Sequence, residues 1–264
     1  MQTQSEKAAA FQALHSGEPF VIPNPWDAGS ARVMQALGFQ ALATTSSGFA
    51  FALGKLDGET TMDELVAHVS SLTDATDLPV SVDLENGHGP DPDDAAQAIR
   101  AVARAGAVGG SIEDWDRGGG LYDIGHATER VAAAVEAARA LPFPFIVTGR
   151  AENFVHDDFD LDDTIARLHA YEAAGADVLY APRLRTVDEM RAVCQAVSRP
   201  VNVLAMPGIS MTDIVEPGAT RVSVGGRLTW VAAKAMADAA MAIRDRGDFS
   251  ALSATVPLDK WLAR

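Results

Sequence analysis

The chain carries one cysteine, Cys194, in 264 residues, so no disulfide can form within it and a reducing compartment is expected. It contains no run of about eighteen apolar residues, and nothing in it reads as a membrane span. Met1 to Gly17 has no basic segment followed by an apolar one, so no secretory signal is expected there. Positive charge is scarce: 21 lysines and arginines stand against 36 aspartates and glutamates, a formal net charge of −15. That balance argues against nucleic acid and anionic membrane as partners, both of which need a basic face. A small anionic substrate stays possible, because a local arginine or metal ion can reverse the field. Nor does any Pro/Ser-rich linker or block of like charge divide the sequence. The expectation is a soluble, cytoplasmic protein with a single domain over 1–264 and a C-terminal appendage from about 248 to 264.

What is present is a regular alternation. Short apolar or β-branched runs begin near Phe20, Ala41, Pro79, Val108, Pro144, Asp177, Pro200 and Arg221. Between them lie helical patterns near Ala28–Leu37, Met62–Leu72, Asp93–Ala105, Thr128–Ala140, Asp162–Ala174, Val187–Val197 and Ser210–Val215, with a last one over Trp230–Arg244. Eight strands, each followed by a helix, predict an α/β fold of the (β/α)8 TIM-barrel type, which typically needs about 250 residues. Gly38, Gly106 and Gly175 each stand just past a helical pattern, where a left-handed cap belongs. Pro79, Pro144 and Pro200 stand at strand starts, where a missing N–H does least harm.

Two runs end abruptly in acid: Val80-Ser81-Val82-Asp83-Leu84-Glu85 and Val108-Gly109-Gly110-Ser111-Ile112-Glu113-Asp114. In a parallel barrel the C-terminal strand ends open onto one mouth, so Asp83, Glu85 and Glu113 are expected to converge there. Converging carboxylates repel unless a cation or shared protons compensate, which points to a divalent metal. Two long connections, Ser47 to Thr61 and the stretch Arg117-Gly118-Gly119-Gly120, feed the same mouth. The latter reads as a hinge for a lid or as a plain flexible connection.

With these residues in place the chain resembles the isocitrate lyase/phosphoenolpyruvate mutase superfamily over about Ile22 to Trp230. The resemblance is carried by Asn24-Pro25-Trp26-Asp27-Ala28-Gly29-Ser30-Ala31, Thr44-Thr45-Ser46-Ser47-Gly48, Asp83-Leu84-Glu85-Asn86-Gly87-His88-Gly89, Gly110-Ser111-Ile112-Glu113-Asp114 and Thr148-Gly149-Arg150-Ala151-Glu152. It implies a barrel that binds Mg²⁺ (or Mn²⁺) and a small 2-oxo or 2-hydroxy carboxylate, and that breaks or makes a C–C or P–C bond through an enolate. It also implies a homo-oligomer, tetramer or dimer, with C-terminal helices exchanged between partners. On it, Asp83 matches a directly coordinating aspartate, and Glu85 and Glu113 match acids that often bind through water. Asp57 matches, less closely, an acid from the loop after the second strand. Ser46, Ser47 and Gly48 match a turn that holds the substrate carboxylate, with Gly48 allowing close approach. Arg150 matches an arginine that grips substrate and stabilises developing charge, and Glu113 and Arg150 are the catalytic candidates.

Departures from the family pattern are equally specific. Lyases of the family carry Lys-Lys-Cys-Gly on the loop after strand four, and mutases a lysine/asparagine version; here Asp114-Trp115-Asp116-Arg117-Gly118 stands instead. Pro182 occupies the approximate place of a glutamate or histidine on strand six, and Asn202 falls about two residues early for the family asparagine. The expected activity is therefore a Mg²⁺-dependent lyase or hydrolase other than isocitrate or methylisocitrate lyase. Phosphonopyruvate-type P–C chemistry, a non-catalytic metabolite-binding barrel and a metal-free phosphate-binding barrel are the alternatives. Asp114, Asp116 and Arg117 are candidates for the missing proton donor. Arg150 also reads as a structural ion-pair partner for Glu85 or Glu113. His88 is the best placed histidine, whereas His126, His156 and His169 have no evident partner. Cys194 reads as inert packing. Ser223-Val224-Gly225-Gly226 is either a tight βα turn or a phosphate cradle.

Overall fold

The computed structural model describes residues 2–253 and 255–263. Helix α1 (Gln4–Leu14) opens on a Thr3/Glu6 capping box, in which each side chain satisfies the other's backbone N–H. No such helix was expected there. Its buried residues are only Lys7, Ala8 and Phe11, too few to mark an apolar stripe. Phe11 packs with Phe20, Ile22, Val108, Ile146 and Val178, so α1 plugs the end of the barrel opposite the mouth.

The chain then alternates as expected. Strand β1 (Phe20–Ile22) is followed by α2 (Ala28–Ala36), β2 (Leu42–Ala43) by α3 (Ser46–Ala52) and α4 (Met62–Ala75), and β3 (Val80–Asp83) by α5 (Pro92–Arg104). After β4 (Gly109–Glu113) come the two short strands β5 (Trp115–Asp116) and β6 (Gly120–Leu121), then α6 (Ile124–Arg139). Strand β7 (Ile146–Arg150) leads to α7 (Leu161–Ala173), β8 (Val178–Tyr180) to α8 (Val187–Ala196), β9 (Val201–Leu204) to α9 (Met211–Val215), and β10 (Arg221–Ser223) to α10 (Arg227–Arg246). Asp27, Thr61, Asp160, Thr186 and Ser210 cap the helices they precede, each accepting a hydrogen bond from a first-turn N–H. Gly38, Gly106 and Gly175 take positive φ at helix ends, as expected.

Eight strands form one parallel sheet in the order β1-β10-β9-β8-β7-β4-β3-β2. Across the seam between β1 and β2, Ala43 N–H donates to Pro23 O at 3.1 Å and Asn24 Nδ2 donates to Thr44 O at 2.9 Å. The sheet thus curls into a (β/α)8 barrel, and every strand delivers its C-terminal end to the same face. Between strands and helices lie two large apolar cores, around Val82, Ile112 and Val147 and around Leu179, Val203 and Val222, and a smaller one around Met34, Leu42 and Leu72.

Two local expectations are corrected. Ser46-Ser47-Gly48 is the first turn of a helix, capped by Thr45, rather than a turn in a long loop. Gly118 and Gly119 lie in the turn, and Gly120 opens the second strand, of an antiparallel hairpin with Trp115 opposite Leu121, rather than in an open hinge. Beyond α10, helix α11 (Leu258–Leu262) lies back against α2. No helix among the described residues is long and apolar enough to cross a membrane.

Candidate active site

Three adjacent strands end on the residues singled out in the sequence: β3 on Asp83, β4 on Glu113 and β7 on Arg150. Glu113 and Arg150 are register partners. Arg150 Nη1 lies 3.1 Å from Asp83 Oδ1 and 3.2 Å from Glu113 Oε2. Its Nε donates to Glu152, and its guanidinium sits over the Tyr180 ring at 5.5 Å. Arg150 is thus clamped by three carboxylates in a largely dry setting, and Glu85 is not among its ion-pair partners. Burial pushes the Glu113 carboxyl well up, against the pull of Arg150. Burial likewise lifts Glu152 to about 6.

Glu85 adopts a left-handed backbone, φ +51°, in the turn after β3, a conformation that costs a non-glycine residue about 1–3 kcal/mol. Burial, then the charges of Asp83 and Asp57, push its carboxyl up to about 7. Asp57 comes from the loop between α3 and α4 and lines both cavities beside Ser46; burial and Asp83 raise it too. Ser46 N–H donates to Asp83 Oδ2 at 3.2 Å, which ties the start of α3 to the end of β3. Ser47 Oγ meets Thr45 Oγ1 at 3.1 Å.

Two adjoining cavities open among these groups. An inner one of about 200 Å³ reaches into the barrel past Ser46, Ser47, Asp83 and Arg150 to Asn202 and Arg221. An outer one of about 590 Å³ is lined by Glu85, Glu113, Arg117, Glu152 and His156. Ser46, Asp57, Arg150 and Val155 line both. The structure therefore brings together Ser46, Ser47, Asp57, Asp83, Glu85, Glu113 and Arg150, whereas Gly48, Asp114 and Asp116 lie off both cavity walls. Gly48 N–H is taken by Thr45 Oγ1 at 3.4 Å, and a Cβ there would stand 2.6 Å from Thr229 Oγ1 and Thr45 Cγ2. Its small size lets α3 pack on α10.

Several neighbours take parts the sequence did not assign. Asp114 is 2% exposed; it accepts hydrogen bonds from Arg167 Nη1 at 3.0 Å, Tyr171 Oη at 2.5 Å and Glu152 N–H at 2.8 Å. So engaged, it braces the strand ends and cannot serve as the exposed proton donor suggested for it. Arg117 lines the outer cavity and packs against Gly58, where a Cβ would meet its guanidinium. His156 does have partners: it stacks on Trp115 with ring centroids 3.3 Å apart, and its Nε2 is 3.8 Å from Glu152 Oε2. His88 lines the outer cavity with its Nε2 buried and unpartnered. Cys194 sits on α8 facing Gly218, its thiol pushed up to about 11 by burial, as fits packing.

Of the two readings of Ser223–Gly226, the contacts favour the tight βα turn. Asn24 Oδ1 accepts from Val224 N–H at 2.9 Å and Gly225 N–H at 2.8 Å, so two donors that a phosphate would need are already used. Asn24 instead splices β1, β2 and β10 together at the mouth. Its place directly after an apolar run was the available signal.

Whether these residues suit a metal follows from their donor chemistry. Asp57, Asp83, Glu85 and Glu113 offer only hard carboxylate oxygen, the set preferred by Mg²⁺ over softer ions. Among the described residues no three His, Cys, Asp or Glu side chains close into a ready cage, because the Arg150 guanidinium stands between Asp83 and Glu113. Mg²⁺ commonly takes one or two protein carboxylates and completes its shell with water. Burial first, and then the charge of Asp83, raise the carboxyls of Glu85 and Asp57, and Arg150 and Arg117 offset this only in part. The residues fit a hydrated divalent cation.

Comparison with known proteins agrees with this geometry. The sequence profile of the phosphoenolpyruvate phosphomutase family matches residues 11–244. The 2-methylisocitrate lyase of Escherichia coli K12 is 29% identical over 233 residues, 83% of this chain and 73% of that one. An oxaloacetate decarboxylase of Rhodopseudomonas palustris BisB5 is 29% identical over 252 residues, 90% and 85% of the two chains. The crystal structure of a lyase/mutase candidate from Burkholderia cenocepacia J2315 superposes with a TM-score of 0.95 at 49% identity, covering 99% of this chain and 97% of that one. The barrel, the acids and arginine at its strand ends and these similarities make the chain a member of the phosphoenolpyruvate phosphomutase family, within the isocitrate lyase/phosphoenolpyruvate mutase superfamily of enzymes that act on C–C or P–C bonds.

Proposed function

We propose that the protein is a Mg²⁺-dependent lyase or hydrolase that cleaves the C–C bond next to a carboxylate in a small 2-oxo or 2-hydroxy acid, through an enolate. The observation that carries this reading is the placement of Arg150 among Asp83, Glu113 and Glu152, beside the start of α3 and over one cavity. A guanidinium held by three carboxylates presents its remaining N–H groups in a fixed direction. It needs no reorganisation when an enolate oxygen gains charge beside it. The Ser46 and Ser47 hydroxyls at the start of α3 would receive the substrate carboxylate, where the helix end favours negative charge. Asp83 would hold the metal directly, with Glu85, Glu113 and Asp57 reached through water. The cation, when bound, would polarise the 2-oxo group as a Lewis acid. Trp115 and Arg117 of the hairpin line the outer cavity, where they would limit water at the reacting carbon.

Calorimetric titration of oxalate, an enolate mimic, tests the reading. Binding should require Mg²⁺ and vanish with EDTA, and Asp83→Ala should lose both metal and oxalate. Oxalate binding that ignores Mg²⁺, or full metal affinity in Asp83→Ala, would sink it. Release of inorganic phosphate from phosphonopyruvate would move the assignment to P–C chemistry.

We also propose a homo-oligomer, dimer or tetramer. Helix α10 has twenty residues, of which only Thr229 is buried. It presents Trp230, Val231, Met236 and Met241 to solvent, apolar side chains on more than one side of the helix that a second copy would cover.

A further inference from the structure

The inner cavity contains two arginines in opposite electrostatic situations. Arg150 at the mouth has three carboxylate partners. Arg221, the first residue of β10, has its side chain inside the barrel and is only 5% exposed. Among the described residues its partners are all uncharged: Nε donates to Asn202 Oδ1 at 2.9 Å, Nη2 to Thr148 Oγ1 at 3.0 Å, and Nη1 faces His15 Nε2 at 3.3 Å. His15 is kept neutral by burial and by Arg221 itself. A buried cation without a counter-charge is costly. Five N–H groups against three such partners leave donors to spare. The guanidinium lines the same cavity as Asp83 and Arg150, and the wall between them carries the small hydroxyl residues Ser81, Ser111 and Ser223. The polar floor was visible in the sequence only as Asn202 and Arg221 interrupting apolar runs; they are register partners on neighbouring strands.

We infer that Arg221 supplies the counter-charge for a second carboxylate of the substrate, so that the site selects di-acids over mono-acids. This rests on the reading that the 2-oxo end binds at Asp83 and Arg150. The substrate then spans the cavity, one end at the strand tips and the other on Arg221. The rival cation is Arg183, which lines the cavity from the exposed loop after β8.

The test measures, with Mg²⁺, the affinity of oxalate and the displacement of oxalate by pyruvate, oxaloacetate and 2-oxoglutarate. Wild-type protein should prefer a di-acid to pyruvate by about tenfold or more, as expected of a charge-assisted pair. Arg221→Gln should erase that preference while binding oxalate, which occupies the mouth alone, within about twofold. Arg221→Lys, which keeps the charge, should retain part of the preference and serves if the glutamine variant fails to fold. A wild type that does not discriminate, a preference that survives in Arg221→Gln, or one lost in Arg183→Gln instead would each overturn the inference and leave the enolate site standing. Failure of oxalate to bind wild-type protein at all would remove both.

Discussion

Replacing Arg150 with methionine keeps most of the stem's volume and deletes the charge on which the site is built. Asp83, Glu113 and Glu152, with side chains 17%, 12% and 2% exposed, would lose their shared cation. At the 3.1 and 3.2 Å separations seen, each of those two pairs is worth about 5 kcal/mol of Coulomb energy at an effective dielectric constant near 20. Desolvation offsets much of that, and breaking a buried network by removing one partner typically costs about 3–5 kcal/mol. For a chain of this length the melting temperature should fall by roughly 6–10 °C. The deficit should depend on pH. Burial already raises Glu113 and Glu152, and losing Arg150 would raise them further. An acid with a raised folded-state pKa favours the folded state at low pH, and that contribution is lost as pH rises through the folded value. Arg150→Met should therefore approach wild type as pH falls from about 8 toward about 5. Mg²⁺ should also recover more of its stability than it adds to wild type, because a cation would again sit among the acids. Thermal melts of both proteins across that pH range, in EDTA and in Mg²⁺, provide the readout. A deficit below about 1 kcal/mol, or one indifferent to pH, would show that the three carboxylates do not depend on Arg150.

Other outcomes follow from the same contacts. Gly48→Ala places a Cβ 2.6 Å from Thr229 and Thr45, so it should cost about 1–3 kcal/mol and weaken oxalate binding by displacing Ser46 and Ser47; an unchanged melt and affinity would count against tight α3–α10 packing. His15 and His68 are both held near 4 by burial. The unfolded chain therefore binds more protons between about pH 6.5 and 4, and wild-type stability should fall as pH drops through that window. His15→Gln combined with His68→Leu should flatten the acid limb in chemical denaturation, and an unaltered slope would refute the assignment. Val231→Glu with Met236→Glu should convert the oligomer to monomer in light scattering, and an unchanged mass would place the interface elsewhere.

Much of the barrel was legible because its signals are local. Strands such as Val80–Asp83 announce themselves by short apolar runs, helices by spacing and caps, and their ends by Gly38, Gly106 and Gly175. Helix α3 escaped because seven residues of Ser, Gly, Phe and Ala carry little periodicity; it is held by the Thr45 cap and by Phe49 stacking on His68 at 4.0 Å. The site was half legible. Acids at strand ends stand out as interruptions, and parallel topology brings strand ends together whatever their distance in sequence. Glu113 and Asp114 look alike in sequence, yet one faces the mouth and the other is locked beneath it by Arg167 and Tyr171.

By itself, then, the sequence determined the alternation, the barrel and the set of acids at its mouth, because periodicity, capping and turn chemistry act over a few residues. Only the tertiary structure decided which charge answers which. Asp83 and Arg150 lie 67 residues apart, Arg221 and Thr148 are separated by 73, and Arg221 and His15 by 206. Side chains so distant become partners only when the sheet closes, and whether a buried charge finds a counter-charge is settled at that closure.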